Sequence, residues 1–206
     1  MSETSDPALE AARRRGKAAL AGHAGEEATA RLFLDDPDPQ VRASALGALV
    51  RMGAATPSDA EASLADLDPV TRRYACELGA ALPGARFADL LFDEDDMVVE
   101  AACHAVGEVH DQNAVPTLIL IASRHDDALC RESAVAALGA IGDVAGLPAV
   151  VAALDDKPQV RRRAAVALAA FEDPVAEAAL KRCLGDSDWQ VRQVAEDVLG
   201  LSDGGG

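Results

Sequence analysis

The sequence predicts an all-α fold, a solenoid of stacked helical hairpins, and three observations predict it. One short pattern recurs six times, half of the residues are hydrophobic while only 3% are aromatic, and every unit is punctuated by an acidic turn. A period near 30 residues marks an array of units that bury their apolar faces on each other, because one hairpin cannot bury them alone. Apolar content made mostly of Ala, Leu and Val suits many thin, closely packed helical layers.

The pattern is D-x-x-V-R-x-x-A-x-x-A-L. It reads DPQVRASALGAL from Asp38, DPVTRRYACELG from Asp68, DDMVVEAACHAV from Asp95, DALCRESAVAAL from Asp127, KPQVRRRAAVAL from Lys157 and DWQVRQVAEDVL from Asp188. The anchor positions are Arg42, Arg72, Val99, Arg131, Arg161 and Arg192, at steps of 30, 27, 32, 30 and 31 residues. Inter-helix loops of varying length account for that drift.

In chain order, residues 8–22 form a capping helix, because ARRRGKAALAG places Arg13 29 residues before Arg42 and reads as a second helix without its first. Six hairpins follow near 24–52, 58–81, 85–109, 113–141, 144–171 and 173–200. Their first helices are EEATARLFL, SDAEASLADL, ARFADLLF, AVPTLILIA, GLPAVVAAL and PVAEAALKRCL. In the five second helices that open on Asp, that leading residue accepts from the free N–H groups of the first turn. Pro39, Pro69 and Pro158 take the next position after the leading residue of their units, where a fixed φ and a missing N–H cost nothing. Val, Ala, Ala and Leu then recur at helical spacing and give one apolar stripe. The expected domain is a single solenoid over 1–201, with 202–206 a disordered tail.

The pattern resembles the HEAT family, and within it the short bacterial and archaeal repeats named after phycobilin lyases, with their V-R-x-x-A-x-x-A-L-G-x-I-G-D run. CRESAVAALGAIGD, Cys130 to Asp143, is the best match, and VVEAACHAVGEVHD, Val98 to Asp111, matches except that Val99 replaces the arginine. The resemblance implies a right-handed superhelix. It also implies that Arg42, Arg72, Arg131, Arg161 and Arg192 form a structural ladder with Asp residues of adjacent turns, a geometry that suits a planar multi-donor guanidinium.

Charge narrows the function classes. The chain carries 35 acidic against 19 basic residues, a net −16, and so repels phosphate backbones unless a basic stripe is segregated on one face. No such stripe appears beyond Arg72–Arg73 and Arg161–Arg163, so nucleic acid is not an expected partner. The acidic bias fits a halophile or a GC-rich genome. There is no apolar run to span a bilayer and no basic-then-apolar leader, so a cytoplasmic protein without a membrane partner is expected. Cys76, Cys103, Cys130 and Cys183 lack C-x-x-C spacing and lie in apolar helical patterns, which predicts reduced, packed thiols.

Catalytic residues are not expected. No nucleophile, base and orienter assemble, and no Gly-rich phosphate cradle appears. No turn has the D-x-D-x-D-G spacing of a calcium loop. The HEAT-like di-iron hydroxylase uses His-Glu pairs, and this sequence has none; His23, His104, His110 and His125 read as solvated or partly packed, so neither metal nor cofactor is expected. The expected function is a non-catalytic scaffold or adaptor binding another protein or peptide. The alternative is an enzyme or enzyme subunit like the bilin lyases.

In the resemblance the second helices line the concave surface, with the positions one and five after each anchor facing outward. These positions give a charged middle of Arg73, Glu77, Glu100, His104, Glu132 and Arg162, suited to a partner carrying basic residues. Tyr74 and Trp189 join them as hot-spot residue types in an aromatic-poor chain.

Overall fold

The computed structural model describes residues 6–201, so the N-terminal Met1–Ser5 and the expected tail at 202–206 lie outside the described residues. Among the described residues the fold is all helical, without a strand. The chain forms two compact units, residues 1–87 and 88–206.

Unit 1 contains α1 (Pro7–Ala24), α2 (Glu27–Arg31), α3 (Pro39–Arg51), α4 (Pro57–Leu64) and α5 (Pro69–Glu77). Helices α1, α3 and α5 stack in sequence order, with α2 and α4 against them. Unit 2 contains α6 (Asp96–Glu108), α7 (Val115–Arg124), α8 (Ala128–Ile141), α9 (Leu147–Ala152), α10 (Pro158–Leu168), α11 (Pro174–Cys183) and α12 (Trp189–Val198). Here α6, α8, α10 and α12 make one layer, and α7, α9 and α11 make the other. Between the layers of unit 2 the stripe residues Val98, Leu118, Leu138, Val150, Val160 and Leu168 are completely or almost completely buried.

The caps follow from the sequence. Asp6, Asp38, Asp68, Asp95, Asp127, Asp173 and Asp188 each accept from a first-turn backbone N–H. Lys157 makes no such bond. Instead Asp156 accepts from the Lys157 N–H at 2.6 Å.

Two first helices are reduced. α2 stops after five residues, and ARFADLLF folds as a 3-10 segment, Phe87–Phe92, rather than an α-helix. Pro83 and Gly84 precede that segment, and Gly84 sits at φ 71°, which leaves too few residues to nucleate an α-helix. Phe87, Leu90 and Leu91 are nevertheless buried, so the apolar pattern is satisfied without the regular helix.

α8 ends at Gly142, φ 70°, a left-handed C-cap that suits glycine. The equivalent position after α6 is His110, the one non-glycine with positive φ among the described residues, at 53°. An L side chain there is strained by about 1 kcal/mol, partly offset by the entropy glycine loses on folding. His110→Gly is therefore expected to stabilise unit 2 by roughly 0.5 kcal/mol. Urea unfolding checks this, and a loss of stability would contradict it.

Candidate functional site

Arg42, Arg131 and Arg161 are gripped from two sides, by a following aspartate and by carbonyls of their own turn. Arg42 donates from Nε and Nη2 to Asp66 at 2.8 and 2.7 Å, and from Nη1 to the Asp36 and Pro37 carbonyls. Arg131 holds Asp156 in the same bidentate way at 2.6 and 2.8 Å and reaches the His125 and Asp126 carbonyls. Arg161 holds Asp186 at 2.9 and 2.8 Å. Arg72 and Arg192 make the carbonyl contacts of their own turns, to Asp66 and Leu67, and to Asp186 and Ser187.

In the N-terminal helix the residue in this register is Arg14, which holds Asp36 at 2.7 and 3.1 Å, rather than Arg13. Gly22, eight residues after Arg14, meets Ala48 as Gly139, eight after Arg131, meets Ala167, which fixes the same register independently. Burial pushes the Asp36 and Asp66 carboxyls up, yet their arginine and backbone bonds outweigh it and leave both below the usual range. At Asp156 and Asp186 the arginine bond is itself the largest influence, and it lowers them.

The aspartates also shape the turns. Asp36, Asp66 and Asp186 each accept, besides the guanidinium, the backbone N–H of the capping Asp two residues on. At the third step the ladder is missing on both sides. Val99 offers no guanidinium, and His125 stands in the aspartate's place, with Nδ1 accepting the Asp127 N–H at 3.2 Å.

The expected partner-binding residues fall into separate places. In unit 1, Arg73 pairs with Glu77 at 3.2 Å, and the Tyr74 ring lies across Gly47, where a Cβ would meet its hydroxyl at 2.4 Å. In unit 2, Glu100, His104 and Glu132 line one recess of about 520 Å³ between α6 and α8. Arg162 instead turns toward α12 and bonds Gln190, and Trp189 is 65% exposed on its first turn.

The recess also takes in Glu108, Leu129 and, from α10, Arg163. Arg163 pairs with Glu132 at 3.3 Å. It was not among the outward positions because it lies two residues after its anchor; like Tyr74 at the same offset, it reaches back to the preceding helix. The floor is Gly107, Ala137 and Ala140, and a Cβ on Gly107 would stand 3.0 Å from the Ala137 Cα, so the helices touch there and the recess opens above. Glu100 and Glu108 have no ion-pair partner among the described residues. The recess thus offers carboxylates over a small-residue floor, with Leu129 and Ala136 as apolar walls.

A second cleft, in unit 1, has a volume of about 610 Å³; four of its charges pair within it, Arg31 with Asp59 and Arg42 with Asp66, its Asp36 is held by Arg14, and Asp35 adds one further carboxylate. Cys76, Cys103, Cys130 and Cys183 are all buried. Burial, then the carboxylates Asp96, Asp127 and Glu100, pushes the Cys130 thiol up to about 12.

Two layers of helices joined by capped acidic turns, repeated along the chain, define an α-helical repeat protein. A family model described as HEAT repeats matches residues 84–165 and 115–200, more than half of the chain, and the protein belongs to that family. A search of curated proteins finds no match.

Among solved structures, the complex of CpcE and CpcF of phycocyanin lyase from Nostoc sp. PCC7120 is similar at 25% identity and a TM-score of 0.61, over 84% of this chain and 76% of that one. Human deoxyhypusine hydroxylase aligns over 97% of this chain and 81% of its own, at 23% identity and 0.51. A designed armadillo repeat protein in complex with the peptide (KR)4 aligns over 96% and 95%, at 16% identity and 0.52. Among the described residues no helix is long and apolar enough to cross a membrane.

Proposed function

We propose that the protein is a non-catalytic binding module of the cytoplasm that holds a partner protein or peptide by a Lys or Arg side chain seated in the α6–α8 recess. One observation carries the reading. Glu100, Glu108 and Glu132 converge on a volume of about 520 Å³ whose floor is Gly107, Ala137 and Ala140, and among the described residues only Glu132 has a cation paired with it. A long basic side chain fits this chemistry, with its methylene stem on Leu129 and Ala136 and its charged head on the carboxylates. The designed armadillo protein bound to (KR)4 illustrates that stacked helical repeats accommodate such a peptide. Arg73, Tyr74 and Glu77 make a separate patch on unit 1, a second candidate contact surface in its own right.

The test is capture of a fluorescent Lys/Arg peptide by the full chain. The double reversal Glu100→Lys with Glu132→Lys is expected to weaken binding by more than about 100-fold, since like charges at a contact cost several kcal/mol. Arg163→Ala is expected to tighten it, because it removes the resident competitor for Glu132. Unchanged affinity in the double variant would rule the recess out. The rival lyase-like reading predicts visible absorbance from a bound chromophore in protein purified from its source.

A further inference from the structure

Four departures from the repeat pattern meet at one point of unit 2. Val99 stands where other units have the ladder arginine, and His125 where they have the ladder aspartate. Asp96 stands where three units have proline, and Cys130 where four have valine. The side chain at the Cys130 position faces the first residue of the preceding repeat's second helix. Thr71 in unit 1 shows this by donating to the Pro39 carbonyl at 3.3 Å, and the Cys130 thiol likewise donates to the Asp96 carbonyl at 3.3 Å. His125 completes the group, its Nε2 3.8 Å from Asp96 Oδ1. The carboxylate, imidazole and thiol ligand atoms all lie within 4.8 Å of one another.

We propose that Asp96, His125 and Cys130 bind one divalent transition-metal ion, zinc by preference, which ties the third repeat to the fourth where the arginine–aspartate pair is missing. Thiolate, imidazole and carboxylate together select zinc-like ions over calcium or magnesium, which take oxygen ligands. Bonds of about 2.0–2.3 Å place tetrahedral ligand atoms roughly 3.3–3.8 Å apart, so the three groups need to close by about 1 Å. Cys130 is 1% exposed and fixed by packing, while Asp96 is exposed and free to swing inward. Coordination sends the thiol proton to solvent. It also places the imidazole proton on Nδ1, giving up the long 3.2 Å contact from the Asp127 N–H, a small loss beside a metal bond. Water fills the fourth position.

The experiment uses the full chain, stripped with a chelator and titrated with Co²⁺ and then Zn²⁺. The expected result is one tight site per chain, a thiolate-to-cobalt charge-transfer band displaced by zinc, and a raised thermal midpoint. Cys130→Val, which restores the repeat's own residue and so preserves packing, is expected to abolish the band and weaken binding by more than about 100-fold, beyond what loss of an outer partner costs. Asp96→Pro likewise restores the pattern and is expected to weaken binding while keeping the band. The pair Val99→Arg with His125→Asp is expected to rebuild the ladder and raise the midpoint of the metal-free protein. Absence of the charge-transfer band, or cobalt affinity retained in Cys130→Val, would overturn the proposal, the second by assigning binding to the acidic turns.

Discussion

Replacing Arg131 with alanine is expected to destabilise the protein by about 2 kcal/mol, below the scale of breaking a fully buried pair because both partners are only partly buried. The guanidinium side chain is 14% exposed and that of Asp156 20%. Its loss strands that carboxylate and leaves the His125 and Asp126 carbonyls without their bonds. Val99 shows the other side of the asymmetry, because a repeat that lacks the arginine also lacks the aspartate. Removing both partners together is cheaper than removing one. Arg131→Ala with Asp156→Ala is therefore expected to lose less than the sum of the two single changes, which a double-mutant cycle in urea measures.

The pH dependence follows from the Asp156 carboxyl, held below its usual value by Arg131. A lowered folded-state pKa means the pair contributes fully above the unfolded value of about 3.9 and is lost as pH falls through the folded one. The gap between wild type and Arg131→Ala should therefore be constant near neutrality and shrink below about pH 4. A gap unchanged at pH 3 would contradict the assignment.

Gly139→Val is expected to cost about 2–3 kcal/mol, the range of an overpacked core. A Cβ at Gly139 would stand 2.6 Å from the Ala167 Cβ and 2.9 Å from its Cα, so the opposing backbone has to move and α8 must separate from α10. The matched control is Gly16→Ala in α1, where a Cβ meets nothing within 4 Å. There the gain in helix propensity, up to about 1 kcal/mol, is the whole effect. Thermal unfolding of the two variants should move in opposite directions, and parallel shifts would show that the close helix contact is not what requires glycine.

These positions show what could be read from the sequence and what could not. The hairpins, the Asp caps and the arginine register follow from local rules, since a helix period, an N-cap and an anchor step each leave a mark within a few residues. The half-repeat register slipped by one because Arg13, Arg14 and Arg15 are adjacent and only the Asp36 contact distinguishes them. ARFADLLF carries a helical apolar pattern but not the length or the entry to nucleate a helix, and periodicity is blind to that. Glu100, His104 and Glu132 were legible as outward positions of neighbouring units. Arg163 was not, because its direction depends on how α10 sits against α8.

The Asp96–His125–Cys130 group was the hardest to see. Its members are spread over 35 residues, and alone they read as an acidic-turn residue, a turn histidine and a packed thiol. The available signal was that all of them break the repeat pattern at one step. A repeat protein offers this kind of reading because its own units serve as the reference.

The most direct test of the binding claim is where a basic peptide lands. With a net charge of −16 the chain attracts cations everywhere, so affinity alone does not distinguish a site from a diffuse field. Backbone amide shifts of isotope-labelled protein, titrated with a Lys/Arg peptide at moderate salt, locate it. The account predicts saturating shifts concentrated at Glu100, His104, Gly107, Glu132 and Ala140, with little change in the acidic turns at 35–38 and 186–188. Shifts spread across those turns with the recess unmoved would contradict it.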